Sequence, residues 1–252
     1  MNDVLVAMPV YNERSYLPRV LRAVSRFTSD ILVVDDGSTD GSHRILADWP
    51  GLKVITHPEN RGYGQSVIDS FNFAAERGYD WVITIDCDEQ HEPERIPDFL
   101  RVARRTDADV ISGSRYLRSY SDDDAAPKDR RRINETVTDL LDQLLGLRLT
   151  DSFCGFKAHR VAAMQRLSLD EPGYAFPLQF WVQCARAGLA IREIPVRRIY
   201  RDHSREFGGT LDDPAARLHH YLEVLLRELR REPTLPQARP VVSHACLCQT
   251  DA

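Results

Sequence analysis

The chain has 252 residues, of which 42% are apolar and 28% are charged, and its formal net charge is −5. This composition is that of an ordinary globular protein and excludes a disordered chain, a fibre and a small disulfide-linked scaffold. No apolar run approaches the roughly 18 residues that a membrane-spanning helix needs, and the N-terminus lacks the basic start and apolar stretch of a signal peptide, so we expect a cytoplasmic protein.

The first half of the chain alternates Val- and Ile-rich runs with helical patterns in which apolar residues recur every three or four positions. Unbroken apolar strands separated by helices are typical of a parallel sheet buried on both faces, and they predict a doubly wound α/β fold. In chain order, the predicted elements are a strand over 4–10, a helix over 17–27, strands over 31–34 and 53–56, a helix over 67–75, a strand over 81–85, a helix after Pro93 and a strand over 109–112.

The second half is more helical. We predict helices over 133–145 and 176–187, and a strand over 191–200 that lies at the edge of the sheet or is added late to it. Asp213 and Pro214 are typical of an N-cap and a first helical turn, so they predict a helix that runs to about residue 231. We interpret residues 1–231 as a single domain and residues 232–252, which contain three prolines, as a disordered tail.

Charge is distributed unevenly between the two halves. Residues 1–113 carry 12 basic and 19 acidic side chains, whereas residues 114–231 carry 20 basic and 17 acidic side chains. Such asymmetry suggests that the two halves bind different ligands. A nucleic-acid-binding domain is usually strongly basic, so we expect no nucleic-acid partner.

Acidic residues follow two of the predicted strands at the point where each strand ends. The second strand ends at Asp35-Asp36, and the fourth ends at Asp86-Cys87-Asp88, with Gln90 and His91 close behind. Ligands of open parallel sheets bind beyond the carboxyl ends of the strands. Two carboxylates one residue apart can bind a hard cation through oxygen. The alternative is that the acidic residues only cap the next helix.

Two glycines stand in the segment Asn60-Arg61-Gly62-Tyr63-Gly64, which leads into a predicted helix. Glycines here could let backbone N–H groups approach an anion. The spacing is not that of a dinucleotide-binding loop. The alternative is a plain turn before the helix.

Six motifs occur in an order that resembles a known family. They are Met8-Pro9-Val10-Tyr11-Asn12-Glu13, Val34-Asp35-Asp36-Gly37-Ser38-Thr39-Asp40-Gly41, Asn60-Arg61-Gly62, Asp86-Cys87-Asp88-Glu89-Gln90-His91, Gly113-Ser114-Arg115-Tyr116 and Cys154-Gly155-Phe156-Lys157. The series resembles the inverting glycosyltransferases of family 2, which have the GT-A fold. Over about residues 3–231 it is most similar to the polyprenyl-phosphate (dolichol-phosphate) mannosyl- and glucosyltransferases.

The resemblance implies roles for the motif residues in binding a nucleoside-diphosphate sugar, such as a GDP- or UDP-hexose. It implies Mg²⁺ or Mn²⁺ as the cofactor, which would neutralise charge on the departing diphosphate. The nucleotide-sugar pocket would contain Pro9, Tyr11, Glu13, Val34, Asp36, Asp86, Cys87 and Arg115; the metal would be bound by Asp86, Asp88 and Gln90; and Asp88 and Arg115 would act in catalysis.

One segment departs from the family pattern. The family commonly has a basic pair before a leucine and two glycines, which closes over the diphosphate. Here the segment is Arg201-Asp202-His203-Ser204-Arg205-Glu206-Phe207-Gly208-Gly209, and Glu206 occupies the usual place of a lysine. We expect Arg201 and Arg205 to substitute for the basic pair. The membrane helices that often follow the family's catalytic domain have no counterpart in this sequence.

The acceptor decides whether a general base is needed. A phosphate acceptor is already ionised, whereas a sugar hydroxyl needs a positioned carboxylate as a base. Asp151 is the candidate for this base. The alternative is that Asp151 only forms a turn or caps a helix. A basic cluster in the same half predicts binding of a lipid phosphate, and its alternative is a solvated helix start. The expected acceptor residues are Arg130, Arg131 and Arg132, next to Lys128, together with Lys157.

These observations predict metal-dependent, inverting transfer of a hexose from a nucleoside diphosphate to a polyprenyl phosphate. The alternatives are a soluble hydroxyl acceptor, a catalytically silent nucleotide-sugar-binding subunit and, much less favoured because the chain has only three lysines, a haloacid-type phosphatase. The helix over 214–231 has a broad apolar face flanked by arginines. This face predicts either peripheral contact with a membrane or packing on the protein's own domain.

Overall fold

The structure, a computed structural model, describes residues 4–200, 207–231 and 241–244. The strands are β1 (Val4–Val10), β2 (Ile31–Asp35), β3 (Lys53–Thr56), β4 (Trp81–Thr84), β5 (Val110–Ser114), β6 (Lys157–Arg160), β7 (Ala190–Pro195) and β8 (Val241–His244). The helices are α1 (Leu17–Val24), α2 (Ser42–Ala47), α3 (Tyr63–Glu76), α4 (Ile96–Arg105), α5 (Lys128–Leu145), α6 (Val161–Met164), α7 (Phe176–Arg186) and α8 (Pro214–Arg230). Short 3-10 turns at Pro93–Arg95 and Gly209–Asp212 precede α4 and α8.

The strands form one sheet in the order β3-β2-β1-β4-β6-β5-β7-β8. All neighbouring strands are parallel except at β6, which runs antiparallel to both β4 and β5. Helices cover both faces of the sheet and create two separate cores. This arrangement confirms the predicted α/β fold with a mostly parallel sheet.

Apolar side chains that alternate along each central strand feed the two cores in turn. On β1, Leu5 packs with α3, α5, α7 and α8, whereas Val6 packs with α1 and α4. Every residue of β2, β4 and β5 is buried. Parallel strands buried on both faces are expected to be continuously apolar, so the Val- and Ile-rich runs of the first half explain why that half could be predicted from sequence.

Strand β6 was not predicted from the sequence. Its residues, Lys-Ala-His-Arg, form no apolar run, yet the first three are buried between β4 and β5. A short polar strand in the middle of a sheet has no periodic signal of its own. Its burial follows from the two apolar strands that flank it.

Two further boundaries differ from the predictions. Helix α5 begins at Lys128, five residues before the predicted start, so the basic cluster lies in its first turns. Strand β7 ends at Pro195, and it is not at the sheet edge because β8 pairs with it in parallel. The expectation of a tail without regular structure is therefore wrong for Val241–His244. The other residues of 232–252 lie outside the described part of the chain.

Helix α8 begins as predicted and packs on its own domain. The Asp213 side chain accepts a hydrogen bond of 2.7 Å from the Ala216 backbone N–H, which caps the first turn. Tyr221 and Leu225 are buried in the core, whereas Leu226 is half exposed. Among the residues that the structure describes, no helix is both long enough and apolar enough to cross a membrane.

Candidate active site

A cavity of about 780 Å³ opens at the carboxyl ends of the parallel strands, which is where open α/β sheets bind their ligands. One set of lining residues, here called the acidic end, contains Asp36, Asp86 and Asp88. A second set, here called the aromatic end, contains Phe153, Phe176, Phe180, Phe207 and Tyr221. Of the residues predicted for the site, Pro9, Tyr11, Glu13, Asp36, Asp86, Cys87, Asp88, Gln90, Arg115, Arg130 and Lys157 line this cavity.

The Asp86 carboxylate is held close to the backbone of the segment that leads into β6. A Cβ atom at Gly155 would clash with this carboxylate, so only glycine permits the approach. Asp86 Oδ1 is buried and has no hydrogen-bond partner among the described residues. Burial raises the pKa of Asp86, and the negative charge on Asp88 adds to this rise. A cation at this position would offset both effects on the pKa of Asp86.

The rest of the motif turns back toward the sheet. The Asp88 carboxylate accepts a hydrogen bond of 3.0 Å from the Gln90 backbone N–H, and Glu89 between them has a left-handed backbone with φ of 60°. The Glu89 side chain forms an ion pair of 2.9 Å with Arg19 on α1. The Asp86 backbone N–H donates to Nδ1 of His91 over 3.1 Å. These contacts give the loop a single conformation in which Asp86, Asp88 and Gln90 line the cavity together.

The donor set fits Mg²⁺ or Mn²⁺ in an open site. Mg²⁺ is usually bound by one or two carboxylates, with the other positions filled by water and substrate phosphates. Asp86, Asp88 and the Gln90 amide supply such a partial set of oxygens. In the described ranges no three His, Cys, Asp or Glu side chains form a closed metal-binding group. The arrangement therefore suits a metal shared with a diphosphate rather than a metal enclosed by protein.

The Asp36 carboxylate organises the turn before α3 at the acidic end. It accepts hydrogen bonds of 2.8 Å from the backbone N–H groups of Arg61 and Gly62, and its Oδ1 lies 2.6 Å from Nδ1 of His57. The Gln65 N–H donates to Pro172 O over 3.0 Å. The N–H groups of Arg61, Gly62 and Gln65 are therefore engaged within the protein, which favours the plain turn before the helix over the anion-binding turn considered from the sequence.

The glycines of this segment serve close packing. A Cβ atom at Gly62 would clash with the Pro172 carbonyl, and one at Gly64 would clash with the Glu171 carbonyl.

Val34, which the resemblance places in the nucleotide pocket, is wholly buried in the core among the helices that cover one face of the sheet. Its side chain does not reach the cavity, so that assignment is wrong for the side chain.

Arg115 lines the cavity and is held in place by a buried carboxylate behind it. Its Nε and NH2 groups donate to Asp151 over 2.7 and 2.9 Å, and its NH1 group donates to Tyr200 Oη over 3.1 Å. Asn134 also donates to Asp151, over 2.7 Å. Two N–H groups of one guanidinium on one carboxylate form a bidentate, charge-assisted contact with a fixed geometry.

Asp151 cannot serve as the general base that the sequence suggested. Its side chain is fully buried, and it is not among the residues that line the cavity. Burial opposes the charge, but the nearby Arg115 outweighs burial and lowers the pKa of Asp151 to about 2. A carboxylate of such low basicity takes up a proton poorly. The structure instead makes Asp151 the residue that positions Arg115.

The basic cluster at the start of α5 separates into three different environments. Arg130 lines the cavity, and its guanidinium lies 4.9 Å from the centre of the Phe207 ring. Arg131 stacks at 3.7 Å on Tyr116 and pairs with Glu135. Arg132 is exposed and does not line the cavity. Thus the structure brings only one of the three predicted acceptor arginines to the site.

Lys157 reaches the cavity from strand β6. It is buried, its Nζ donates to the Cys154 carbonyl, and burial lowers its pKa. The predicted residues Arg201 and Arg205 lie outside the described residues.

The aromatic end and one arginine were missed by the sequence analysis. Arg217 on α8 is buried, donates to Asp129 over 2.5 Å and lies 4.4 Å from the Phe207 ring. The ring of Phe153 stacks on Tyr221 with centres 5.1 Å apart. The apolar positions of α7 and α8 were recognised as helix faces, but the sequence carries no signal that these faces line a cavity instead of filling a core.

Comparison with known proteins gives consistent results. A sequence model described as glycosyl transferase family 2 matches residues 5–168. The undecaprenyl-phosphate mannosyltransferase of Micrococcus luteus is 32% identical over 225 residues, which cover 83% of this chain and 90% of that protein. The polyprenol monophosphomannose synthase of Mycolicibacterium smegmatis is 30% identical over 207 residues, which cover 76% of this chain and 76% of that protein.

Solved structures share the fold at lower identity. The crystal structure of glucosyl-3-phosphoglycerate synthase from Mycobacterium tuberculosis in complex with UDP has a TM-score of 0.68 at 18% identity, covering 95% of this chain and 87% of that chain. A complex of the same enzyme with Mn²⁺, UDP and glucosyl-3-phosphoglycerate has a TM-score of 0.67 at 20% identity, covering 95% and 88%. This likeness confirms the predicted GT-A fold.

Proposed function

The chain belongs to glycosyltransferase family 2 and is a glycosyltransferase, and from this premise we propose that it moves a hexose, with inversion, from a nucleoside diphosphate to a polyprenyl phosphate. The relatives that are 30–32% identical carry names that specify undecaprenyl phosphate or polyprenol. The observation that carries the proposal is a cavity of about 780 Å³ that is lined together by the acidic end, the aromatic end and Arg115.

The acidic end would bind the donor. Asp86, Asp88 and Gln90 would hold Mg²⁺ or Mn²⁺, which supplies positive charge to stabilise the departing diphosphate. Tyr11 and Asp36 line the nucleotide side of the same end, and with Pro9 and Glu13 they would contact the base and ribose of a UDP- or GDP-hexose. The carboxylates of this end carry negative charge, which would repel a diphosphate that has no metal bound. We therefore expect donor binding to depend on the metal.

Arg115 would stabilise charge at the reacting centre. Asp151 and Tyr200 fix its guanidinium at the cavity wall before any ligand arrives. A charge that is oriented in advance stabilises a developing negative charge without the cost of reorganisation. We therefore propose that Arg115 stabilises the negative charge of the donor and acceptor phosphates between which the sugar is transferred.

A phosphate acceptor requires no general base. In the reaction we propose, a lone pair on an acceptor phosphate oxygen forms the new bond to the anomeric carbon, and the bond between that carbon and the diphosphate oxygen breaks on the opposite face. The electrons of the broken bond remain with the diphosphate. No proton is removed from the acceptor, so the low basicity of Asp151 does not hinder the reaction.

The aromatic end would take the first part of the acceptor lipid. Phe207 lies between the guanidinium groups of Arg130 and Arg217, at 4.9 and 4.4 Å. This places positive charge and apolar surface side by side, as a phosphate attached to a hydrocarbon chain requires. Because such an acceptor resides in a lipid bilayer, we propose that the protein works on the cytoplasmic side, in peripheral contact with a membrane.

The test is a transfer assay with the purified chain, a panel of UDP- and GDP-hexoses, and either Mn²⁺ or EDTA. Undecaprenyl phosphate and undecaprenol, which differ only in the phosphate, are the matched acceptors. We expect a hexosyl lipid only with the phosphate and only with metal, and NMR of the product should show an inverted anomeric centre. Transfer to undecaprenol at an equal rate would contradict the phosphate acceptor, and transfer in EDTA would contradict the metal.

A further inference from the structure

His57 bridges two carboxylates behind the acidic end of the cavity. It follows β3, and its side chain is 4% exposed. Its Nδ1 lies 2.6 Å from Asp36 Oδ1, and its Nε2 lies 2.9 Å from Asp69 Oδ2 on helix α3. Asp36 lines the cavity, whereas His57 is not among the described residues that do so. The imidazole ring therefore touches the wall of the cavity from behind.

The oxygens of Asp36 are largely engaged by the protein. Oδ1 accepts from His57 and from the Arg61 backbone N–H, and Oδ2 accepts from the Gly62 backbone N–H. A carboxylate has about four acceptor positions, so these three donors leave one position, on Oδ2, for a ligand. The orientation of that position depends on every contact that fixes the carboxylate plane.

Asp69 ties the same bridge to the first turns of α3. Its Oδ1 accepts a hydrogen bond of 2.9 Å from Gln65, and its Oδ2 lies 3.8 Å from the Arg61 guanidinium. Asp69 is also only partly buried, since 20% of its side chain is exposed. The contacts through His57 thus join the end of β2, the turn before α3 and the helix itself.

We infer that His57 is a positioning residue that sets the affinity and base preference of the nucleotide site through Asp36. This inference rests on the proposed function, since it assumes that the acidic end receives a nucleoside diphosphate. Each ring nitrogen lies within hydrogen-bond distance of one carboxylate, so the ring links Asp36 to Asp69. The Asp36 carboxylate is then held so that its remaining acceptor position meets a donor of the nucleotide, an N–H of the base or a ribose hydroxyl.

The bridge explains why a histidine suits this position. A histidine ring presents two hydrogen-bonding nitrogens on opposite sides, a geometry that a single amide or hydroxyl does not have. Replacement by glutamine keeps an amide donor but cannot reach both carboxylates in the same way. The contact with Asp36 is the closer and more buried of the two, so its loss should have the larger effect.

The experiment measures two affinities for each variant by calorimetry in the presence of Mn²⁺. The first ligand is a nucleoside diphosphate, with UDP and GDP tested separately, and the second is pyrophosphate, which lacks the base and ribose. The variants are His57→Gln and Asp69→Asn, with Glu76→Gln as the matched control, because Glu76 is an exposed carboxylate on the same helix. Thermal unfolding of each variant reports whether the fold is retained.

We expect His57→Gln to weaken nucleoside diphosphate binding about tenfold, as the loss of one hydrogen bond to a charged group would. Asp69→Asn should weaken it about threefold by the same route. The ratio of UDP to GDP affinity should change in His57→Gln. Pyrophosphate affinity should stay within about twofold in every variant, because the metal-binding loop does not contact His57.

Several results would overturn the inference. One is unchanged nucleotide affinity in a folded His57→Gln variant. Another is an equal loss of nucleotide and pyrophosphate affinity, because His57 would then only support the fold. If His57→Gln fails to fold, Asp69→Asn decides: nucleotide affinity equal to that of Glu76→Gln contradicts the bridge. Wild-type protein that binds neither nucleotide would overturn the proposed function, and the inference with it, whereas normal wild-type binding with unaffected variants would overturn the inference alone.

Discussion

The acidic end and the aromatic end of the cavity are assembled from different kinds of structure. The acidic end consists of short turns that directly follow β2 and β4, and nearby backbone N–H groups hold the Asp36 and Asp88 carboxylates. The aromatic end consists of side chains from α7, α8 and the segments before them. Its contacts join residues far apart in the chain, such as Arg217 with Asp129 and Phe153 with Tyr221.

This difference would let the fold keep the proposed donor site while the proposed acceptor site varies. Turns at strand ends are held by the sheet hydrogen bonds beneath them, so their geometry changes little when surface helices change. Faces of separate helices can be repacked without disturbing the sheet. If this comparison is correct, substitutions at the two ends should affect donor binding and acceptor transfer separately.

The largest effect is expected at the acidic end. Asp88→Asn should lower transfer at least about 100-fold, because one charged metal ligand is lost where diphosphate charge develops. Metal-dependent donor affinity, measured by calorimetry, should fall with it while thermal unfolding stays unchanged. Glu89→Gln is the matched control, since it removes a carboxylate from the same turn that pairs with Arg19 instead of lining the cavity. Wild-type donor affinity in Asp88→Asn, with metal present, would refute the assignment.

The second effect should be confined to the aromatic end. Arg130→Ala is expected to lower the rate with undecaprenyl phosphate by about 10- to 100-fold, the equivalent of one contact to a charged group. Donor affinity should not change. Arg132→Ala is the control, because Arg132 belongs to the same helix turn but is exposed and away from the cavity. Equal rate losses in the two variants would mean that the general positive charge of α5 matters, not the position of Arg130.

The ion pair between Arg115 and the buried Asp151 predicts that the stability of the protein depends on pH. Arg115 lowers the pKa of Asp151 to about 2 from an ordinary value of 3.8. A carboxyl group with a lowered pKa in the folded state stabilises the protein above the unfolded value, and this stabilisation is lost as pH falls from about 4 toward 2. The loss should be about 2 kcal/mol. It should be measured as the free energy of unfolding in urea across this range.

The control for that measurement is Asp151→Asn. This variant lacks the titrating group, so its own loss of stability between pH 4 and 2 should be smaller by about the same amount. It should also be less stable than wild type at neutral pH, because the Arg115 charge stays buried without its partner. Parallel pH profiles of wild type and Asp151→Asn would show that Asp151 does not carry this dependence.

The smallest effect concerns the helix that forms one wall of the aromatic end. Asp213→Ala removes the side-chain cap on the Ala216 N–H and should lower stability by about 1 kcal/mol. If only the start of α8 loosens, the KM for the lipid phosphate should rise while donor affinity stays constant. Asp213→Asn, which keeps a capping oxygen, should behave as wild type. An effect on donor affinity would show that the two ends are coupled through α8.

Prediction from the sequence succeeded where the signal was local. The strands β1, β2 and β4 are apolar runs whose burial on both faces follows from their composition, and the helix starting at Pro214 follows from a local cap. The acidic residues of the donor end lie directly after those strands, so their convergence follows from the parallel sheet. For these parts, residue type and spacing were sufficient.

Prediction failed where a residue's environment depends on distant elements. Val34 lies in a strand that is buried along its whole length, and only the packing of the helices shows that its side chain points into the core and not into the cavity. Asp151 had the chemistry of a base in the sequence, but Arg115 and Asn134, 36 and 17 residues away, remove that property. The three arginines at the start of α5 are equivalent in the sequence, but in the helix each side chain has different surroundings.

The sequence by itself determined the α/β fold, the acidic motifs at the strand ends and the family to which these motifs point. The physical reason is that apolar periodicity and turn chemistry act over a few neighbouring residues. Only the tertiary structure decided that β6 inserts antiparallel in the sheet, that Asp151 positions Arg115 and that helix faces line an aromatic end beside the donor site. These features depend on burial and on charge pairs between segments far apart in the chain, and no local pattern records which segments will meet.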